Sequence, residues 1–462
     1  MTTTPSTLKR QLAFDERVDG ISNLLRAKGF KAWRSNVEAV HGCARPIRMV
    51  GKTSLHAGGV EVAAAAGPVW VACKNRRATV CEPCSERYAA DTFHLVRAGL
   101  VGGKGVPETV TTHTRVFATL TPPSFGAVHN QPRNGNGRPR PCRCGEWHSD
   151  YDTRLGSPVD IASYDYPGAV LWQAHATELW RRFTITVVRH LAAALGRSVT
   201  ELRALLRVSY TKVAEYQRRG LVHFHSVIRL DGPDGPDSAP GVTVDSGLLE
   251  RVIRSAAKAV SVSSPDSMAV GVRELVWGDQ VDVAPVAPHD PSDPAQLAND
   301  HSVAGYIAKY ATKGTGASAG TDRPIRHERQ IDNLPVSEHI KTMIATAWWL
   351  GGLDEFNDAE KGLRLRKWAH MLGFRGHFLT KSRRYSTTFT VMRRTRAEHR
   401  IAETLAAHGI SDTEDVEVTG WWEMTGIGYR SGAEREFAEV IAQGLRERRR
   451  MAGANLIEED WE

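Results

Sequence analysis

Two histidines separated by one phenylalanine, His223 and His225 in LVHFHSVIRLD, are the residues of this sequence best placed to do chemistry. Their β-branched and apolar surroundings favour an extended chain, and on a strand successive side chains point to opposite faces. Both imidazoles therefore share a face and make half of a divalent-metal site. Upstream, RVSYTKVAEYQ also reads as a strand and RRG as a turn, so the two strands form an antiparallel hairpin. A three-residue loop sets Glu215 opposite His223, on the side of both histidines, which makes it the candidate third ligand. The alternative for Glu215 is a cross-strand salt partner facing solvent. In YIAKYATK, Tyr306 and Tyr310 are spaced i, i+4, so on a helix both phenols leave one face, with Lys309 between them and Lys313 nearly a turn beyond. That is a face of potential nucleophiles.

The elements that must position these groups are legible in the pattern. VFATLTPP, from Val116 to Pro123, is a β-branched and aromatic run stopped by proline and reads as a strand. The stretch from Ala169 to Leu195 has apolar residues at three-to-four spacing and predicts a long helix, with Trp172, Leu179, Trp180 and Phe183 inward. SVTELRALL opens with capping residues, and Ser246 to Val260 reads as a crossover helix. RELVWGDQVDV supplies a further strand, and the tyrosine helix begins near Asp300 to Ser302. Strands interleaved with helices predict an α+β domain with a mainly antiparallel sheet.

The six cysteines suit thiols or metal ligands better than disulfides in a chain expected to stay in the cytoplasm. Cys81 and Cys84 form a CxxC, with Cys73 shortly before it and Cys43 further back; four such thiolates would make a tetrahedral zinc site of the ribbon kind. His41 is an alternative to Cys43, and a site limited to the CxxC pair is another reading. Cys142, Cys144 and His148 offer a second metal site, but one without an obvious fourth ligand. They lie in a Pro-, Gly-, Asn- and Arg-rich stretch that reads as an insertion or loop.

A net charge of +8 and a pI near 9.2 point to a polyanionic partner, in the first place nucleic acid. Basic residues concentrate near the C-terminus, where Arg375, Lys381, Arg383 and Arg384 interleave with Trp368, Phe374, Phe378, Tyr385 and Phe389. That mixture suits phosphate contacts combined with stacking; the alternative is a solvated basic surface. No segment has the roughly 20 apolar residues of a membrane span, and the first residues lack the apolar run of a signal peptide, so the expected compartment is cytoplasmic and no membrane partner is expected.

In their order along the chain, FATLTPP, HFH and YIAKYATK resemble the HUH endonucleases that start rolling-circle replication, specifically the actinobacterial replication initiators of plasmids and integrative conjugative elements (the RepSA type). The resemblance extends through AGLVGGKG and MLGFRGHFLTKSRRYSTTF and covers most of the chain. It implies an RRM-like HUH endonuclease fold, carrying an N-terminal zinc ribbon and a mostly helical, basic, DNA-binding C-terminal region. The expected division is 1–105, 106–314 with an insertion at about 124–200, and 325–462. It also implies a nickase and strand transferase; from the residues themselves, Mg²⁺ or Mn²⁺ is expected at His223, His225 and Glu215 and structural Zn²⁺ at Cys43, Cys73, Cys81 and Cys84. In the family's YxxKY pattern the tyrosine next to the lysine, here Tyr310, is the initiating nucleophile. Tyr306 then resolves the displaced strand or merely packs against the sheet, and Lys309 or Lys313 assists the phenol. The implied partners are double- and single-stranded origin DNA, a host helicase and a host DNA polymerase. The competing readings are an HUH transposase or relaxase, and a non-enzymatic zinc-containing DNA-binding regulator.

Overall fold

The computed structural model describes residues 18–287, 299–312, 321, 323–357, 362–410 and 416–459. They form an α+β protein whose sheets are antiparallel throughout. The chain divides into two compact units, one made of Met1–Ala89 with Thr390–Glu462 and the other of Ala90–Phe389. The C-terminal region, continuous in sequence from 325, is thus shared between them.

In the first unit, β1 (Ile47–Ala57) and β2 (Val60–Val71) form a hairpin, and β10 (Val416–Ile427) pairs with β1 along its whole length. The sequence reading assigns no strand to these segments. The alanine run Ala63–Ala66 carries little β-propensity, and β10 is exposed along most of its length, so neither shows the alternation that marks a half-buried strand. The helix Phe30–Ala39 adds an aromatic cluster in which Trp33 meets Trp70 edge-on at 6.3 Å and Phe437 in a stacked pair at 6.0 Å.

The second unit is built on a five-stranded sheet in the order β8-β3-β5-β4-β9. Its strands are β3 (Arg115–Leu120), β4 (Arg207–Tyr216), β5 (Val222–Asp231), β8 (Val281–Pro285) and the short β9 (Leu379–Lys381). One face is the core. Phe224, Ile228 and Leu120 meet Trp172, Trp180 and Phe183 of the long helix Tyr166–Ala194, beside which the helix Ser246–Ala259 packs. Three helices of this unit start at side-chain caps. Asp165 caps the long helix through Gly168 N–H at 3.0 Å, Ser198 and Glu201 form a capping box, and Asp245 accepts from Leu248 N–H at 2.7 Å. The buried Lys212 amine also lies on this face, 3.8 Å from the Phe224 ring centre, where desolvation lowers its pKa to about 7.

Two expectations need correction. RELVWGDQVDV is not one strand but two: β7 (Glu274–Val276) pairs with β6 (Ser261–Ser263), while β8 joins the main sheet. Gly278 breaks the run, since its N–H bonds Thr121 C=O and a Cβ there would meet the Pro122 backbone at 2.7 Å. Three of the five aromatic residues of the basic segment do not form a stacking surface either, while Trp368 and Phe389 are half-buried. Phe374 and Tyr385 are wholly buried and Phe378 nearly so, because the segment returns through β9 to close the sheet. Among the described residues no helix is long and apolar enough to cross a membrane.

Candidate nuclease site

The opposite face of the five-stranded sheet carries the polar cluster. Glu215 of β4 lies directly across from His223 of β5, the register that the hairpin reading predicts. Glu215 Oε2 is 3.1 Å from Nε2 of both His223 and His225, and the two Nε2 atoms are 3.0 Å apart. Neighbouring ligands of an octahedral ion bound at about 2.1 Å lie about 3.0 Å from one another, so these three atoms fit one divalent cation without rearrangement. Neutral imidazole and carboxylate form a donor set that accepts Mg²⁺ or Mn²⁺, the latter favoured by nitrogen ligands.

Several contacts aim these ligands. Thr119 of β3 places its hydroxyl 2.9 Å from His225 Nδ1, and Phe117 stacks on the same imidazole with rings 5.8 Å apart. A partner on Nδ1 leaves Nε2 turned toward the cluster. The turn joining the ligand strands is held from behind by Gln173, a fully buried residue of the long helix. Its side chain donates to Gly220 C=O at 2.8 Å and accepts from Val222 N–H at 2.9 Å. Arg219 fastens the turn to the end of β3 through Pro122 C=O at 2.9 Å and Pro123 C=O at 3.0 Å. Sequence reading missed Thr119, Gln173 and Arg219. Alternation along FATLTPP places Thr119 with Phe117 on one face, but nothing in a helical pattern distinguishes Gln173 from a solvent-facing glutamine.

The helix Asp300–Thr312 lays both tyrosines over this cluster. Tyr306 OH is 3.0 Å from His225 Nε2 and donates to Glu215 Oε2 at 3.2 Å. Tyr310 lies one turn on, its ring 4.5 Å from that of Tyr306 and its hydroxyl in hydrogen-bonding contact with Tyr306 and Glu215. Lys309 reaches over the Tyr310 ring at 5.5 Å, and Lys313 lies outside the described residues. Burial, reinforced by the Glu215 charge, raises both phenol pKa values. At Glu215 burial acts upward, but hydrogen bonds from His223 and His225 outweigh it and bring the carboxyl down to about 2. The His225 imidazole is lowered, chiefly by burial. An anionic Glu215 carboxylate and a neutral His225 imidazole are the states a metal ion requires.

In the first unit, Cys43, Cys73, Cys81 and Cys84 converge, their sulfurs lying within 4.8 Å of one another. Cys43 precedes β1, Cys73 follows β2, and the CxxC opens the helix Glu82–Val101, so two of the ligands bracket a hairpin. Sulfur separations of 3.7 Å for Cys73–Cys84 and 3.8 Å for Cys43–Cys81 match the about 3.8 Å expected around a tetrahedral ion with 2.3 Å bonds. His41, the alternative to Cys43, is not part of the cluster. Ala44 N–H and Cys73 N–H point at the sulfurs of Cys81 and Cys43, at 3.3 and 3.2 Å. Sharing hydrogen bonds with the other thiols pushes Cys81 strongly down and Cys43 strongly up. Four convergent sulfurs at these separations fit one tetrahedral metal ion.

The proposed DNA-contacting residues are not equivalent. Arg375, Arg383 and Arg384 are exposed, although Arg384 donates to Asp234 C=O at 2.5 Å. Lys381 is half-buried, and its amine donates to Arg383 C=O at 3.1 Å and Ser386 C=O at 2.9 Å.

Residues 29–443 match the family model described as "Replication initiator protein, pSAM2" (RepSA). The chain belongs to this family. A replication initiator protein of Streptomyces ambofaciens is 42% identical over 450 residues, covering 94% of this chain and 95% of that protein. No solved structure matches.

Proposed function

We propose that this RepSA-family chain is a site-specific nickase and strand transferase that starts rolling-circle replication of a plasmid or integrative conjugative element, on an RRM-like HUH fold. The observation that carries the reading is the placement of two phenol oxygens against the Glu215–His223–His225 cluster. A structural regulator that only binds DNA has no use for that arrangement. A divalent ion held by these three residues supplies Lewis-acid polarisation of the scissile phosphate and charge compensation on its oxygens. The tyrosine oxygen attacks phosphorus, the bond from phosphorus to the 3′ oxygen breaks, and that oxygen leaves as a 3′ hydroxyl after taking up a proton. The 5′ phosphate stays on the tyrosine as a phosphodiester. Bond energy is thereby retained, so a 3′ hydroxyl can reverse the step and rejoin strands.

In this scheme Tyr310 opens the origin, with Lys309 or Lys313 favouring its phenolate or protonating the leaving oxygen, and Tyr306 resolves the displaced strand. A second reading gives Tyr306 the first attack, favoured by its direct contact with His225 and Glu215. The free 3′ hydroxyl primes a host polymerase, with a host helicase opening the duplex ahead of it. We assign structural Zn²⁺ to the four cysteines, and duplex origin contacts to Arg375, Lys381, Arg383 and Arg384. The test is incubation of the protein with Mn²⁺ or Mg²⁺ and single-stranded origin oligonucleotides, followed by peptide mapping of the trapped adduct. DNA on Tyr310 after a single turnover supports the first order and DNA on Tyr306 the second. Cleavage without any tyrosyl adduct overturns both.

A further inference from the structure

Within the insertion after β3, Cys142, Cys144 and His148 are joined by a fourth side chain that the sequence does not place with them, His129, the ligand atoms all lying within 4.8 Å of one another. Cys142 and Cys144 sit on a tight turn closed by Gly145 N–H to Cys142 C=O at 2.8 Å, with Gly145 at φ 89°. His148 follows on the same loop, and His129 arrives from the other side, on the segment where Val128 bridges Pro158. We propose that these four residues form a second structural zinc site, of the Cys₂His₂ type, distinct from the four-cysteine cluster and independent of the nicking reading.

Three observations support it. The separations are those of a filled tetrahedral site. Cys144 Sγ is 3.4 Å from His148 Nε2 and His129 Nδ1 is 3.2 Å from the same atom, against about 3.6 and about 3.3 Å around zinc with 2.3 Å sulfur and 2.05 Å nitrogen bonds. The two rings also meet edge to face, planes at 87° and centroids 5.0 Å apart, with His129 Nδ1 against His148 Nε2. Finally, His148 has the supporting partner of a metal-bound imidazole. Its Nδ1 lies 2.7 Å from Asp152 Oδ2, and Asp152 is itself held by Arg154, whose Nη2 donates at 2.9 Å, so Nε2 is the nitrogen left for the metal.

A staple here has work to do. Apart from isolated bridges, residues 121–165 form no strand or helix, and a segment of that length needs tertiary fixings to hold one conformation. His129 is bonded through both its backbone groups to Gly156 and Ser157: His129 N–H donates to Ser157 C=O and Gly156 N–H to His129 C=O, each at 2.9 Å. Gly156 in turn lies so close to Arg218 that a Cβ would meet its backbone at 2.5 Å. Arg218 belongs to the turn between the strands of Glu215 and His223. Zinc at this site would therefore brace that turn from the insertion side, while fixing a loop whose Arg133, Arg138, Arg140 and Arg143 are all exposed.

The experiment is native mass spectrometry and elemental analysis of the full chain purified without chelator. Two zinc ions per chain are expected. Cys142→Ser with Cys144→Ser should remove one and Cys81→Ser with Cys84→Ser the other. Because a double variant can misfold, His129→Asn is measured in parallel. It should keep the native circular dichroism but lose one zinc to a mild chelator at least tenfold faster than wild type. Cobalt substitution should give d–d bands of both Cys₄ and Cys₂His₂ type, the second absent from His129→Asn. A wild-type stoichiometry of one zinc that survives the Cys142 and Cys144 substitutions, or equal zinc retention in His129→Asn, overturns the proposal.

Discussion

Four sulfurs around one point, three of them buried, make up the cluster of Cys43, Cys73, Cys81 and Cys84; two nitrogens and one carboxylate oxygen, with phenols leaning over them, make up the cluster of His223, His225 and Glu215. The first supplies every ligand a tetrahedral ion takes. The second supplies three and leaves the remaining positions to water or a phosphate, which separates structural from catalytic sites. Among the described residues the thiol cluster packs against Val40 and the half-buried Ala44, Trp70 and Ala72, a small core beside the sheet of β1, β2 and β10. The histidine cluster rides on strands already fixed by a large core, so its ligands need no metal to be placed. One site serves the fold, and the fold serves the other.

The strongest way to break this contrast is at the histidines. His223→Ala with His225→Ala should lower nicking by about 10³-fold or more, the several kcal/mol that metal assistance supplies, while leaving the melting temperature and most of the DNA affinity intact. Near wild-type cleavage by that variant would sink the metal assignment. Substitution at the thiols should do the reverse. Cys81→Ser with Cys84→Ser should release one zinc and destabilise the first unit, measured as a lower thermal midpoint and loss of protection in β1 and β2 by hydrogen exchange, because structural zinc contributes directly to folding. An unchanged midpoint would mean that the two clusters do not differ in this way.

Between the tyrosines, Tyr310→Phe should abolish the covalent adduct, whereas Tyr306→Phe should nick normally and fail mainly at termination; gel assays of nicking and rejoining on separate substrates read the two steps. The smallest effect is expected in the basic segment. Arg383→Ala with Arg384→Ala should weaken duplex origin binding and reduce its salt slope by about 0.9 for each lost phosphate contact, with cleavage of a short single strand preserved. Loss of that cleavage in a folded variant would place the segment within the nuclease site instead.

The hairpin of Glu215, His223 and His225 was legible because a strand has a period of two. HFH placed two imidazoles on one face, RRG fixed the loop length, and loop length fixed Glu215 opposite His223. The tyrosine pair was legible for the matching reason, since four residues are about one helical turn. The cysteines were legible by type alone, and His41 could be dropped only once the chain was folded. Three aromatic residues of the basic segment misled. Phe374, Phe378 and Tyr385 look the same in sequence whether they stack on bases or fill a core, and the sheet edge at β9 decided for the core.

By itself, then, the sequence determined whatever depends on neighbours a few residues apart: the shared face of His223 and His225, the register of Glu215, the common face of Tyr306 and Tyr310, the capped starts of the helices. Only the tertiary structure decided what depends on distant segments meeting. It brought the tyrosine helix over β5, paired β10 with β1 across most of the chain, set Gln173 behind the turn between β4 and β5, and carried His129 to Cys142, Cys144 and His148. Local periodicity follows from backbone geometry that each residue carries with it. Long-range pairing follows from which apolar surfaces bury one another, a choice that no short window of residues contains.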